Sequence, residues 1–223
     1  MSDEQVWNDQ SRGELRQRLR SAIFGELRLA KRGKEDILKT CREVYIQDEC
    51  PERELETFFQ FAADELDRAA IQLASEQNRW QDETDCDRLD RVEVALRERG
   101  ILLWQVSPCC DTCTWGELPD RIEVISARFP GFRDRLRGYA FFIDQNMPEM
   151  LADSTQISVY LAYGWLSPDG SEVASEVYAK NALGIAREVC ECLRHERFEA
   201  DWDGDLGRKI GVSLNWQRRS TLD

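Results

Sequence analysis

The hydrophobic period of this chain changes at Gly100, and that change limits the fold more than any other feature. Before it, apolar residues recur at spacings of three and four; after it, they form short alternating or compact runs bounded by Pro, Gly and Asp. A chain of that texture builds helices first and a sheet with its own helices second. This is the pattern of an α+β protein rather than a parallel doubly wound one.

The helical section spans residues 1–100. Ser11 reads as an N-cap followed by an apolar stripe of Leu15, Leu19, Ile23, Leu27 and Ala30, with Gly33 as the stop. Ile37, Leu38, Cys41, Val44 and Tyr45 mark a second helix, in which Cys41 is a packing residue. Pro51 suits the first position of a third helix, whose Leu55, Phe58, Ala62, Leu66, Ala69 and Leu73 keep period without a break. Asp85 caps a fourth that stops at Gly100. The acidic run around it lacks the central Gly and distal Glu of a calcium loop.

Residues 101–223 read as the α+β section. Strands are expected at 101–106, 138–144 and 157–163, with helices at 111–128 and 171–196. A short extended piece at 198–202 precedes a last strand at 208–216, where Ile210, Val212, Leu214 and Trp216 alternate with Lys209, Gly211, Ser213 and Asn215. That order suits a mainly antiparallel sheet with helices on one face, close to a ferredoxin-like unit with an added strand, and with the N-terminal helices packed on it. The two sections are two domains or one continuous domain. With helices on one face, Phe142 and Tyr160 fall on the other, which is either exposed to a protein partner or stacked ligand or, the preferred reading, covered by the N-terminal section. The 129–137 loop reads as a surface excursion.

With 43 acidic against 30 basic residues and a formal charge of −13, the chain lacks the cationic excess that phosphate backbones demand, so no nucleic-acid partner is expected. The charge is uneven: Arg12 to Lys34 holds eight basic and two acidic residues, and Glu35 to Glu98 nineteen acidic and eight basic. A basic helix lying on an acidic bundle explains it. The polar start MSDEQVWNDQ is no secretory signal and no apolar run reaches membrane-spanning length, so a soluble, cytoplasmic protein without membrane contact is expected. In that compartment the eight cysteines stay reduced. The partner expected is a protein with a basic patch or a second copy of this chain.

Chemistry concentrates at Ile101–Cys113, ILLWQVSPCCDTC, where an apolar run breaks at Ser107-Pro108 and delivers Cys109, Cys110 and Cys113 together. As a redox pair, Cys110 and Cys113 follow a strand and open a helix, but no Pro precedes the later strands to make the cis bond that accompanies such a pair in the thioredoxin fold. As a zinc site, the three thiols need a fourth ligand, and Cys86 is the best available. His195, the sole histidine, lies opposite the apolar face of its helix and belongs in solvent. No cofactor is favoured. The remaining reading is buried or half-buried thiols that close a strand-to-helix turn, holding less than one zinc per chain.

The pieces TDCDRLDRVEVALRERGI (Thr84–Ile101), CCDTC, GYAFFIDQ (Gly138–Gln145), YLAYG (Tyr160–Gly164) and DWDGD (Asp201–Asp205), with Trp216, occur in the order of a known family. Over about residues 80–219 the chain resembles the bacterial domain of unknown function 6891, and hardly at all over the N-terminal helices. The resemblance implies a fold unit and motif positions, not a reaction. Family members carry His, Gln and Asp after the aromatic strand, where this chain has Ile143, Gln145 and Asn146, and Gly where it has Thr114. Without that His no complete catalytic constellation assembles. The expectation is a non-catalytic binding or regulatory protein, with ligand or partner contacts drawn from Cys109, Cys110, Cys113, Gln145, Tyr160, Trp202 and Asp203. The alternative is a small-ligand enzyme using a carboxylate or thiol, with a deep pocket that gathers Cys109, Cys110, Gln145 and Asp203.

Overall fold

The computed structural model describes residues 7–168 and 170–219. Its elements run α1 (Asp9–Leu29), α2 (Lys34–Thr40, continued by a π-helical turn Cys41–Ile46), α3 (Leu55–Gln77), α4 (Asp85–Glu98), β1 (Ile101–Ser107), α5 (Asp111–Arg128) and α6 (Phe132–Arg135). There follow β2 (Gly138–Ile143), α7 (Met147–Asp153), β3 (Gln156–Trp165), α8 (Ser175–His195), β4 (Ala200–Asp201) and β5 (Ile210–Asn215). They form two compact units: Met1–Asp82 with Asn146–Thr155 and Trp216–Asp223, and Glu83–Gln145 with Gln156–Asn215.

In the helical unit, α1 buries Leu15, Leu19, Ile23 and Leu27 against Phe58, Ala62, Leu66 and Leu73 of α3, and Ile37, Cys41 and Ile46 complete the cluster. Its N-cap is Asn8, whose side chain accepts the Ser11 amide, so Ser11 is the residue being capped rather than the cap. Its end is Ala30 in the left-handed region (φ 56°) rather than Gly33, which instead precedes α2. The early stop is held from far along the chain, because Trp216 Nε1 donates to the Arg28 carbonyl at 3.0 Å. Helix α7, which no periodicity announced, packs on α1 at Gly25, where a Cβ would lie 1.9 Å from the Pro148 carbonyl oxygen. The basic side chains of α1 meet acidic partners within this unit: Arg12 with Glu54, Arg18 with Glu49, Arg20 with Glu65 and Arg28 with Glu76.

The second unit holds a five-stranded sheet in the order β1-β2-β3-β5-β4, antiparallel except for the β1–β2 pair. The ferredoxin-like order is not what forms. There the two strands joined by a crossover helix are separated by a third, whereas here β1 and β2 are direct parallel neighbours and β1 is an edge. Nor do the helices keep to one face. Helix α8 presses Ile185 onto Gly138, while α5 packs Leu118, Ile122 and Ile125 on Leu102, Tyr139 and Phe141, which alternation places on the opposite face. Register also separates two residues expected together. Phe141 pairs with Ala162, so Tyr160 shares the α5 face and Phe142 points to the other. Phe142 is buried and Tyr160 is 60% exposed. The 129–137 segment is less of an excursion than expected, because α6 buries Phe132 completely.

Candidate functional site

Hydrogen bonds within the strand-to-helix connection and to the end of the neighbouring strand shape the cysteine turn. Ser107, fully buried, donates to the Phe142 carbonyl at 3.1 Å. The buried Thr114 hydroxyl reaches back to Ser107 Oγ (2.9 Å) and the Pro108 carbonyl (3.2 Å). Asp144 is held twice: its amide donates to the Ser107 carbonyl at 2.9 Å, and its buried carboxylate accepts the Cys109 amide at 2.7 Å. That last bond fixes Cys109 in the left-handed region (φ 55°), a conformation that costs a non-glycine residue roughly 1 kcal/mol. The kink turns the next residue, Cys110, into the N-cap position of the 18-residue α5.

The three thiols therefore converge. Their sulfurs lie within 4.8 Å of one another, and Cys110 Sγ is 3.6 Å from Cys113 Sγ. Cys109 and Cys113 are exposed and Cys110 is half-buried, so the turn is not closed by thiols packed inward. Packing there falls to Ser107 and Thr114 instead. The Cys113 amide, then the Cys113 thiol, hold the Cys110 thiol below its ordinary range, because both stabilise a negative sulfur. Cys113 is pushed up to about 11, since its proton is the one shared with the Cys110 and Cys109 sulfurs. Asp111, the first residue of α5, is paired by both oxygens to Lys209 Nζ at 2.8 and 2.7 Å.

The other expected site residues do not join this cluster. Cys86 is buried at the start of α4 and is not one of the convergent thiols. Gln145 is exposed beyond β2. Trp202 and Asp203 belong to a turn of their own: Trp202 Nε1 donates to the Asp205 carbonyl (3.2 Å), and Asp203 accepts the Asp205 amide (3.0 Å) and Arg208 (2.7 Å). The Asp205 amide, followed by Arg208, keeps the Asp203 carboxyl below its usual range. Tyr160 stands on the open part of the sheet beside Gly211. Cavities of about 580, 510 and 360 Å³ are lined by none of Cys109, Cys110, Gln145 or Asp203, so the pocket expected of a thiol or carboxylate enzyme is not formed by any of them.

Sequence reasoning named Ser107 only as the end of an apolar run and Thr114 only as a departure from glycine, and missed that their hydroxyls carry the turn. A signal was present: two hydroxyl residues seven apart that bracket Pro108 and the thiols. It also passed over the aromatic residues Trp115 and Tyr178, whose partners lie on other elements.

Among the described residues no helix is long and apolar enough to cross a membrane. No curated protein and no solved structure matches the chain. One family model does, described as a domain of unknown function, and its match covers residues 12–220, the N-terminal helices included. Both units, and the cysteine turn with them, thus fall within one family assignment: the chain belongs to the domain of unknown function 6891 family.

Proposed function

We propose that the chain is a non-catalytic binding protein of a reducing compartment, and that Cys109, Cys110 and Cys113 hold one thiophilic cation as three thiolates. The observation that carries this is the convergence of three accessible sulfurs within 4.8 Å on a turn fixed by buried hydrogen bonds. Three sulfurs bound at about 2.3 Å to one ion sit about 4 Å apart, so little rearrangement is needed. The missing fourth ligand selects among metals. Zinc wants four, and with Cys86 elsewhere its last position falls to water; a soft ion such as Cu(I) is satisfied by three thiolates. The pairing of Lys209 with Asp111 supports the reading, because it neutralises the carboxylate nearest in sequence to the thiolates.

The test is competition for Cu(I) between the reduced protein and a colorimetric chelator. One Cu(I) per chain is expected, with Cys113→Ser weakening it at least tenfold and Cys86→Ser leaving it unchanged, while elemental analysis finds less than one zinc. Failure to retain Cu(I), or equal retention by Cys113→Ser, overturns it.

One observation favours a second reading. The 3.6 Å separation of Cys110 and Cys113 sulfurs suits disulfide exchange with a small disulfide. The Cys110 thiolate would attack one of its sulfurs and release a thiolate, and Cys113 would then displace the second thiol as it closes the bond to Cys110. Equilibration with reduced and oxidised glutathione followed by peptide mass mapping separates the readings. A Cys110–Cys113 disulfide populated at cytosolic poise would favour exchange.

A further inference from the structure

A second site, lined by none of the thiols, lies where α5, the end of β3 and the first turn of α8 meet. We infer that this cleft binds a small, neutral, planar aromatic molecule. Its volume is about 360 Å³, within the range of small-ligand sites. Two walls are aromatic and fixed. Trp115 stands edge-on to Tyr139 (5.1 Å, 83°) and to Phe141 (5.8 Å, 89°), and Trp165 packs against Tyr178 (6.5 Å, 66°). Rings held this way from one side leave other surface uncovered, and Trp115 remains 47% exposed. Offset stacking and edge contacts are the geometries by which such walls hold a planar guest.

The remaining surfaces narrow the ligand class. Leu118, Ile122 and Leu166 line the cleft without polar groups. Its two charged residues, Glu123 and Arg133, pair with each other, so a charged guest would have to break that pair to find a counter-ion. Besides the Tyr139 and Tyr178 hydroxyls, a backbone acceptor of a lining residue lacks its helical donor. Pro119 lies inside α5 and has no N–H, so the Trp115 carbonyl does not receive the helical bond from that position. A ring bearing a single N–H or O–H donor matches it. The adjoining cavity of about 580 Å³ shares Trp165, Leu166 and Tyr178 and is bordered by Ser167, Ser171 and Ser175, which gives room for a polar substituent.

Indole is the probe. It is titrated into the full-length protein with ¹⁵N-labelled tryptophan while the indole N–H resonances are followed. Saturable shifts confined to Trp115 and Trp165 are expected, with the other tryptophans still. Ile122→Phe, which fills the cleft, should weaken binding at least tenfold. Trp115→Ala removes a half-exposed wall and should do the same at Trp165 without unfolding the chain. Benzoate and benzylamine, which carry opposite charges, should each bind at least tenfold more weakly than indole. Shifts that fail to saturate, that spread over all tryptophans, or that survive both substitutions overturn the site; equal binding of either charged probe overturns the stated ligand class.

Discussion

At the scale of single residues, several identities make sense only through a contact. Gly164 is one. A Cβ there would lie 2.1 Å from the Tyr139 hydroxyl oxygen and 2.4 Å from its ring, so the Tyr-Gly pair closing YLAYG is the space that Tyr139 occupies. Burial and the neighbouring Tyr178 raise the Tyr139 hydroxyl far above its ordinary range, so it stays a neutral donor. Gly164→Ala should cost about 2 kcal/mol through overpacking, measured by urea denaturation, and Tyr139→Leu in the same chain should recover part of that loss. Additive losses in the double variant would show that the contact is not the cause. Thr114 is another such residue. Where the resemblance leads one to expect glycine, its hydroxyl joins Ser107 to the Pro108 carbonyl.

Elements show where local rules were enough and where they were overruled. The start of α4 is purely local: Thr84 accepts the Asp87 amide while Asp87 accepts the Thr84 amide, a complete capping box. Thr84→Ala should lower stability by about 1 kcal/mol, seen as a lower melting temperature with an unchanged far-ultraviolet spectrum at about 25 °C. No loss would mean that the helix start is held by tertiary contacts instead. The fourth helix was legible, although its cap is Thr84 and not Asp85, because both ends of the box lie within four residues. The end of α1 was not. Gly33 was the better stop by propensity, yet the chain turns at Ala30 because Trp216, 188 residues away, takes the Arg28 carbonyl.

At the scale of the whole molecule, the uneven charge resolves inside the helical unit. Arg12 donates to both Glu54 oxygens at 2.9 and 2.5 Å, and Trp7 Nε1 to one of them at 2.8 Å. The Arg12 bond, chiefly, holds the Glu54 carboxyl down to about 2 against an ordinary 4.5. A depressed carboxyl stabilises the folded state above its unfolded value and loses that contribution as pH falls toward the folded one. Stability should therefore fall between about pH 4.5 and about pH 2, and less steeply in Glu54→Gln; parallel urea midpoints for both proteins across that window would refute the linkage. Both partners reach solvent, so the effect is small.

What the sequence alone determined is what short-range physics carries: the α+β class, most helices, all five strands to within a few residues, the complementarity of a basic α1, and the position of the cysteine cluster. Period, caps and turn residues act over one or two turns, and they read correctly where no distant group competes. Tertiary structure decided the rest. Strand neighbours, the parallel β1–β2 pair and the face on which Tyr160 lies depend on register between segments that share no local signal. The thiols are accessible because Asp144, 35 residues after Cys109, takes its amide and holds the backbone in a left-handed turn. The aromatic cleft exists because α5, β3 and α8 meet. Alternation and spacing cannot encode which side chain fills a space left by another element, and there the site was settled.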